Sequence, residues 1–141
     1  FMSESIVYGC IRDMVIARGE EASQRREVNR SVMSALPTAD SWPLLSREMF
    51  APAPSAVDHD DVRTDVIHFG SSYKAIEHEW KTWIQQFESI LKGMYWVSAT
   101  VHLETLYNGV HTFVWETDAD FHLPNSSNMS MRCEWTHESS F

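Results

Sequence analysis

Three side chains in the second half of the chain have the types and spacing to do chemistry: His102, Glu104 and His111. Two imidazoles and a carboxylate can hold Fe(II) or zinc with coordination positions left open. Whether they meet depends on the run Met94 to Glu116, MYWVSATVHLETLYNGVHTFVWE, which is rich in β-branched and aromatic residues and is interrupted at Asn108-Gly109. Asn-Gly between two strand-like runs is a strong hairpin signal, because a type I′ turn needs positive φ at both central residues. A two-residue loop sets Tyr107 opposite Val110. On that register Val97, Ala99, Val101, Leu103, Thr105 and Tyr107 form a core face with Val110, Thr112, Val114 and Glu116. The second face then carries Trp96, His102, Glu104 and Leu106 opposite His111, Phe113 and Trp115.

On this second face His111 lies diagonal to Glu104, roughly 5–8 Å away. A metal-dependent enzyme could use such a trio. The plainer alternative is a polar stripe in which Glu104 accepts hydrogen bonds from one or both imidazoles. Trp96, Phe113 and Trp115 are either core beneath the N-terminal helices or, beside the same carboxylate, an exposed aromatic and acidic patch of the kind that binds proteins. Three side chains on one hairpin face make a shallow site with no evident outer ring of supporting groups, so no catalytic metal is expected.

Other candidates are weaker. Asp58, Asp60 and Asp61 sit in the stretch APAPSAVDHDDVR, which lacks the glycine and terminal glutamate of a calcium loop and reads as an exposed acidic loop. Cys10 and Cys133 fall in strand-like segments and read as buried thiols. No phosphate-cradling glycine loop, Gly-x-Ser-x-Gly or Cys-x-x-Cys is present. The expectation is therefore no catalytic residue and no cofactor.

The 141 residues include 11 basic and 20 acidic side chains, a formal charge of −9. That balance argues against a nucleic-acid backbone as partner and disfavours an anionic membrane surface, while a basic protein suits it. No run of 18 apolar residues could cross a membrane as a helix. SESIVYGCIRD lacks a basic segment followed by an apolar one, so no signal peptide and a cytoplasmic location are expected.

Periodicity supplies the remaining elements. Ser5 to Arg12 alternates as a strand, with Ile6, Tyr8 and Cys10 on one side. Glu20 to Leu36 reads as a helix ended by Pro37, with Arg25, Arg26 and Arg30 on its exposed side. A second short helix is expected from Asp40 or Ser41 to Met49. Val66 to Phe69 reads as a brief strand broken at Gly70. Ser71 to Lys92 carries Tyr73, Ile76, Trp80, Trp83, Ile84 and Phe87 at helical spacing, which predicts a helix of roughly 30 Å. The segment NMSMRCEWT alternates as a half-buried strand, with Met129, Met131, Cys133 and Trp135 inward.

Together these predict one acidic α+β domain over residues 2–141. Its antiparallel sheet has about five strands, the last three a meander. One long helix packs on a face, and two shorter N-terminal helices are added.

In size, acidity, aromatic content and missing catalytic signatures, the chain resembles small immunity proteins of bacterial polymorphic-toxin systems. The resemblance implies a cytoplasmic protein-binding domain that neutralises a basic toxin or enzyme by occlusion. The expected contacts are Glu104, His102, His111, Phe113, Trp115, Asp58, Asp60 and Asp61. The alternatives are a small metal-dependent enzyme using His102, Glu104 and His111, and a ligand-binding or homodimeric domain.

Overall fold

The computed structural model describes residues 4–13, 20–51 and 65–136. Among them run β1 (Glu4–Arg12), α1 (Glu20–Ser34), β2 (Phe50–Ala51), β3 (Val66–Lys74), α2 (Trp80–Lys92), β4 (Ser98–Thr105), β5 (Gly109–Glu116) and β6 (Ser130–Thr136). The strands form one antiparallel sheet in the order β2-β3-β1-β4-β5-β6. The expected C-terminal meander is there, with the earlier strands added beyond β4. The class is α+β as expected, but the sheet has six strands, and no helix of the described residues is long and apolar enough to cross a membrane.

The two faces of the sheet differ in what covers them. One face carries Val7, Ile11, Ile67, Phe69, Ala99, Val101, Leu103, Phe113 and Trp115, all buried in a single core. α2 closes this side with Trp83 and Phe87, both fully buried. Phe87 meets Phe69 at 5.3 Å and Trp115 at 5.0 Å between ring centroids, and Trp80 meets Phe113 at 5.2 Å. Met33 of α1 is buried in the same core, with Val32 and Leu36 packed against it. Removing these apolar surfaces from water is the main force holding the helices to the sheet.

Several expectations change. The long helix does not begin at Ser71. β3 continues through Gly70 to Lys74, because Ser71 and Tyr73 pair with Val7 and Ser5 of β1. A left-handed Ala75 (φ 52°) and a 3-10 turn at Ile76–Glu79 then lead into α2. Tyr73 still joins the core beneath the helix, where Trp83 Nε1 donates to its hydroxyl at 3.1 Å. The helix phase is as expected: Trp80 is half-buried while Glu77 and Lys81 are exposed. The second short helix is replaced by 3-10 turns at Ala39–Ser41 and Arg47–Met49.

Arg25 is not solvated charge. It is buried against Asp13, with Nε donating to Oδ2 at 3.0 Å and Nη2 to Oδ1. Its guanidinium also lies 4.8 Å from the Tyr95 ring centre and 4.1 Å from that of Phe121. Asn29 adds two bonds to the Tyr95 backbone, so the first three turns of α1 are tied to the rest of the chain by polar groups.

The cysteines differ too: Cys10 is half-buried, Cys133 is exposed, and both are free thiols. Met131 and Cys133 do share a face with Trp115 and Phe113, as the alternation predicts. They lie one strand beyond the reach of the helix aromatics, however, and both are exposed.

Candidate functional site

The hairpin register decides which side chains can act together. Thr105 pairs with Gly109, Leu103 with His111, Val101 with Phe113 and Ala99 with Trp115. Leu106, Tyr107 and Asn108 make the connection, and the positive φ falls on Gly109 (φ 73°) alone of the Asn-Gly pair. Thr105 Oγ1 accepts from the Asn108 amide at 3.1 Å and holds the loop closed. The expected Tyr107–Val110 pairing is therefore displaced by an odd number of residues, and β5 turns its other side to the core.

This shift separates the predicted site. His102 and Glu104 lie on the face away from α2, opposite Thr112 and Val110. His111 lies on the helix side, opposite Leu103 and position 135. Phe113 and Trp115 are core residues, 8% and 0% exposed, and offer no surface to a partner. Trp96 is also buried, stacked on His122 at 4.7 Å. Because the sheet stands between His111 and the other two, His102, Glu104 and His111 form no ligand set. Among the described residues no group of three His, Cys, Asp or Glu side chains is arranged to hold a metal ion. Asp58, Asp60 and Asp61 lie outside the described residues.

What His102 and Glu104 do belong to is the open face of the sheet. Antiparallel sheets commonly leave one face to water, and that face is then polar. Here its middle is not. Ile6 and Tyr8 project from β1, a strand enclosed by β3 and β4, and are 44% and 38% exposed. Tyr8 packs against His102 at 4.9 Å between ring centroids, and the His102 ring Nδ1 is 2.9 Å from Thr112 Oγ1. Ile6 pairs with Glu104, which pairs in turn with Val110. The result is an aliphatic and aromatic strip whose imidazole is fixed by a hydroxyl rather than by a carboxylate.

Charges ring this strip. By register Glu4, Arg12, Lys74, Glu104, Glu116, Arg132 and Glu134 all lie on the same face. Arg12 Nε donates to Ser98 Oγ at 3.0 Å and Arg132 Nε to Glu116 Oε1 at 3.1 Å. Beyond the sheet, the hairpin tip exposes Leu106 (66%) and Tyr107 (78%).

Alternation along β1 already sets Ile6, Tyr8 and Cys10 on one side of their strand. Their place beside His102 and Glu104 is not legible there, because neighbours across a sheet are not encoded locally. No protein-family model, curated protein or solved structure matches this chain.

Proposed function

We propose that this chain is a cytoplasmic protein-binding domain of the bacterial immunity type, which neutralises a basic toxin or enzyme by covering its site. The observation that carries the reading is the exposure of Ile6 and Tyr8 on an interior strand of the sheet, beside His102 and inside a ring of charges. Tyrosine is enriched at interface hot spots because it offers a large rigid surface with a polar tip. An apolar strip with a polar rim is the usual anatomy of a protein contact.

His102 and Glu104 stay in the proposed contact, joined by Ile6, Tyr8, Val110 and Thr112. Glu104 gives the strip an anionic group for a lysine or arginine of the partner. The formal charge of −9 supplies longer-range attraction for a basic protein, which salt screens beyond about 8–10 Å. Added salt then slows association and leaves dissociation little changed.

The test is a side-by-side capture from the native cell with the wild-type chain, Tyr8→Asp and Glu104→Lys. Both side chains face water, so both variants keep a melting temperature within a few degrees of wild type. The expected result is one basic protein retained by the wild type and lost from both variants. A folded variant that retains this protein at full strength overturns the proposal, and so does a partner whose capture is indifferent to salt.

A further inference from the structure

We infer that the outer edge of β6 is a self-association surface whose occupant is β6 of a second copy of this chain, docked antiparallel about a two-fold axis at Cys133. β6 ends the sheet: among the described residues it pairs with β5 and with no other strand. The outward row of N–H and C=O groups on such a strand is a template for another strand. The side chains from Ser130 to Glu134 are all exposed, so none of them is buried under another part of the described chain.

The charges on this edge select the register. A two-fold axis joining two β6 strands side by side stands perpendicular to the sheet and keeps each face on its own side, so it must pass midway between two copies of one residue. An axis at Arg132 sets arginine against arginine, and an axis at Glu134 sets glutamate against glutamate. An axis at Cys133 sets Arg132 opposite Glu134 of the second copy, and Glu134 opposite its Arg132. In-register parallel pairing fails as well, because it places like charges together along the strand. The sequence Met131-Arg132-Cys133-Glu134 is thus self-complementary in one arrangement and repulsive in its neighbours.

The side chains are already placed for this. Arg132 and Glu134 point to the open face, and Arg132 bonds Glu134 within the strand and Glu116 on β5. A guanidinium has five N–H donors, so Arg132 can keep Glu116 and also reach Glu134 of the second copy. The four charges nearest the axis alternate in sign, with Glu116 of each copy one strand further out. Opposite charges at the contact matter because each copy brings a formal charge of −9, whose repulsion is screened at physiological salt. The pairing extends both sheets into one and leaves Ile6 and Tyr8 uncovered. It is therefore independent of the partner contact proposed above.

The experiment measures the oligomeric state of the full chain by sedimentation equilibrium at physiological salt. It compares wild type, Arg132→Glu, and the exchange Arg132→Glu with Glu134→Arg. The wild type is expected to form a dimer with concentration. Arg132→Glu should weaken it about tenfold or more, since like charges then face each other twice. The exchange restores opposite charges and should recover the dimer.

In parallel, the wild type and Cys10→Ser are treated with diamide, which accepts two electrons and two protons as two thiols join. Both should give a covalent dimer on a non-reducing gel, and Cys133→Ser should give none. A wild type that stays monomeric throughout overturns the inference. So do a dimer indifferent to Arg132→Glu, an exchange variant that fails to recover, and a cross-link that survives Cys133→Ser.

Discussion

Leu103 stands directly opposite His111 across the β4–β5 ladder. That pairing puts one histidine of the hairpin on the helix side of the sheet, while His102, one residue from Leu103, projects from the other. It also sends Phe113 and Trp115 into the core against Trp80 and Phe87. Of the two readings of these aromatics, core or exposed patch, the fold takes the first: β5 is an aromatic core strand backed by an open face of Val110, Thr112 and Val114.

The register can be checked by substitution on the two sides of β5. Phe113→Ala should cost ~3–5 kcal/mol, because it opens a cavity among Trp80, Val101 and the rings around them. Val114→Ala, on the open face, should cost less than half of that. Gly109→Val should destabilise by ~1–3 kcal/mol, since a β-branched side chain is strained at positive φ. Urea unfolding measures all three, and equal losses at 113 and 114 would refute the face assignment.

The elements and their order were largely legible because each depends on local pattern. The alternating faces of β1 and β6, the acidic first turn of α1, and the aromatic stripe from Trp80 to Leu91 all survive in the fold. What was not legible depends on partners distant in sequence. Ser71 to Lys74 continues the helical spacing of Ile76 and Trp80, yet it is a strand because β1 is there to pair with it. Arg25 looks like surface charge until Asp13, Tyr95 and Phe121 are brought around it. The hairpin failed for a subtler reason. Asn-Gly marked the turn correctly, but only Gly109 takes the left-handed conformation, and a longer loop reversed the faces.

At Gly9 the backbone around β1 leaves no room for a side chain. A Cβ built there would lie 1.9 Å from the Thr100 carbonyl oxygen and 3.0 Å from the ring of Phe69. The first contact is with backbone, which cannot rotate away as a side chain would. Gly9→Ala should therefore cost about 3 kcal/mol by overpacking, against the small gain that alanine gives an ordinary strand position. The mutant's melting temperature decides this. A value at or above that of the wild type would show that the two strands can part at no cost.

The Asp13–Arg25 pair tests how a buried charge is tolerated. The two side chains are only 6% and 4% exposed, so neither charge is hydrated once the other is removed. Asp13→Ala should destabilise by ~3–5 kcal/mol, because it leaves the arginine buried and uncompensated. The double replacement Asp13→Leu with Arg25→Met removes both charges and keeps the volume, and should recover much of that loss. Such non-additivity is the signature of a coupled pair, and a double-mutant cycle in urea measures it directly. Simple addition of the two single effects would show that the ring stacking of Arg25, not the ion pair, is what matters.

Tyr73 gives the fold a specific weakness at alkaline pH. Its hydroxyl donates to the Leu44 carbonyl and accepts from Trp83 Nε1. Burial raises its pKa above the ordinary 10.0, opposed in part by hydrogen bonds with Trp83 and Ser71. A phenol whose folded pKa is raised is held neutral by the fold. Its contribution to stability is complete below the unfolded value of 10.0 and is lost as pH rises through the folded one, because the unfolded chain gives up the proton first. Ionisation also removes the donor that Leu44 needs. Tyr73→Phe should cost ~1–3 kcal/mol at neutral pH by leaving Leu44 and Trp83 without their partner. It also removes the ionisable group, so the gap in melting temperature between variant and wild type should narrow above about pH 10. A gap that stays constant from neutral to strongly alkaline pH would show that this hydroxyl ionises as readily in the folded chain as in the unfolded one.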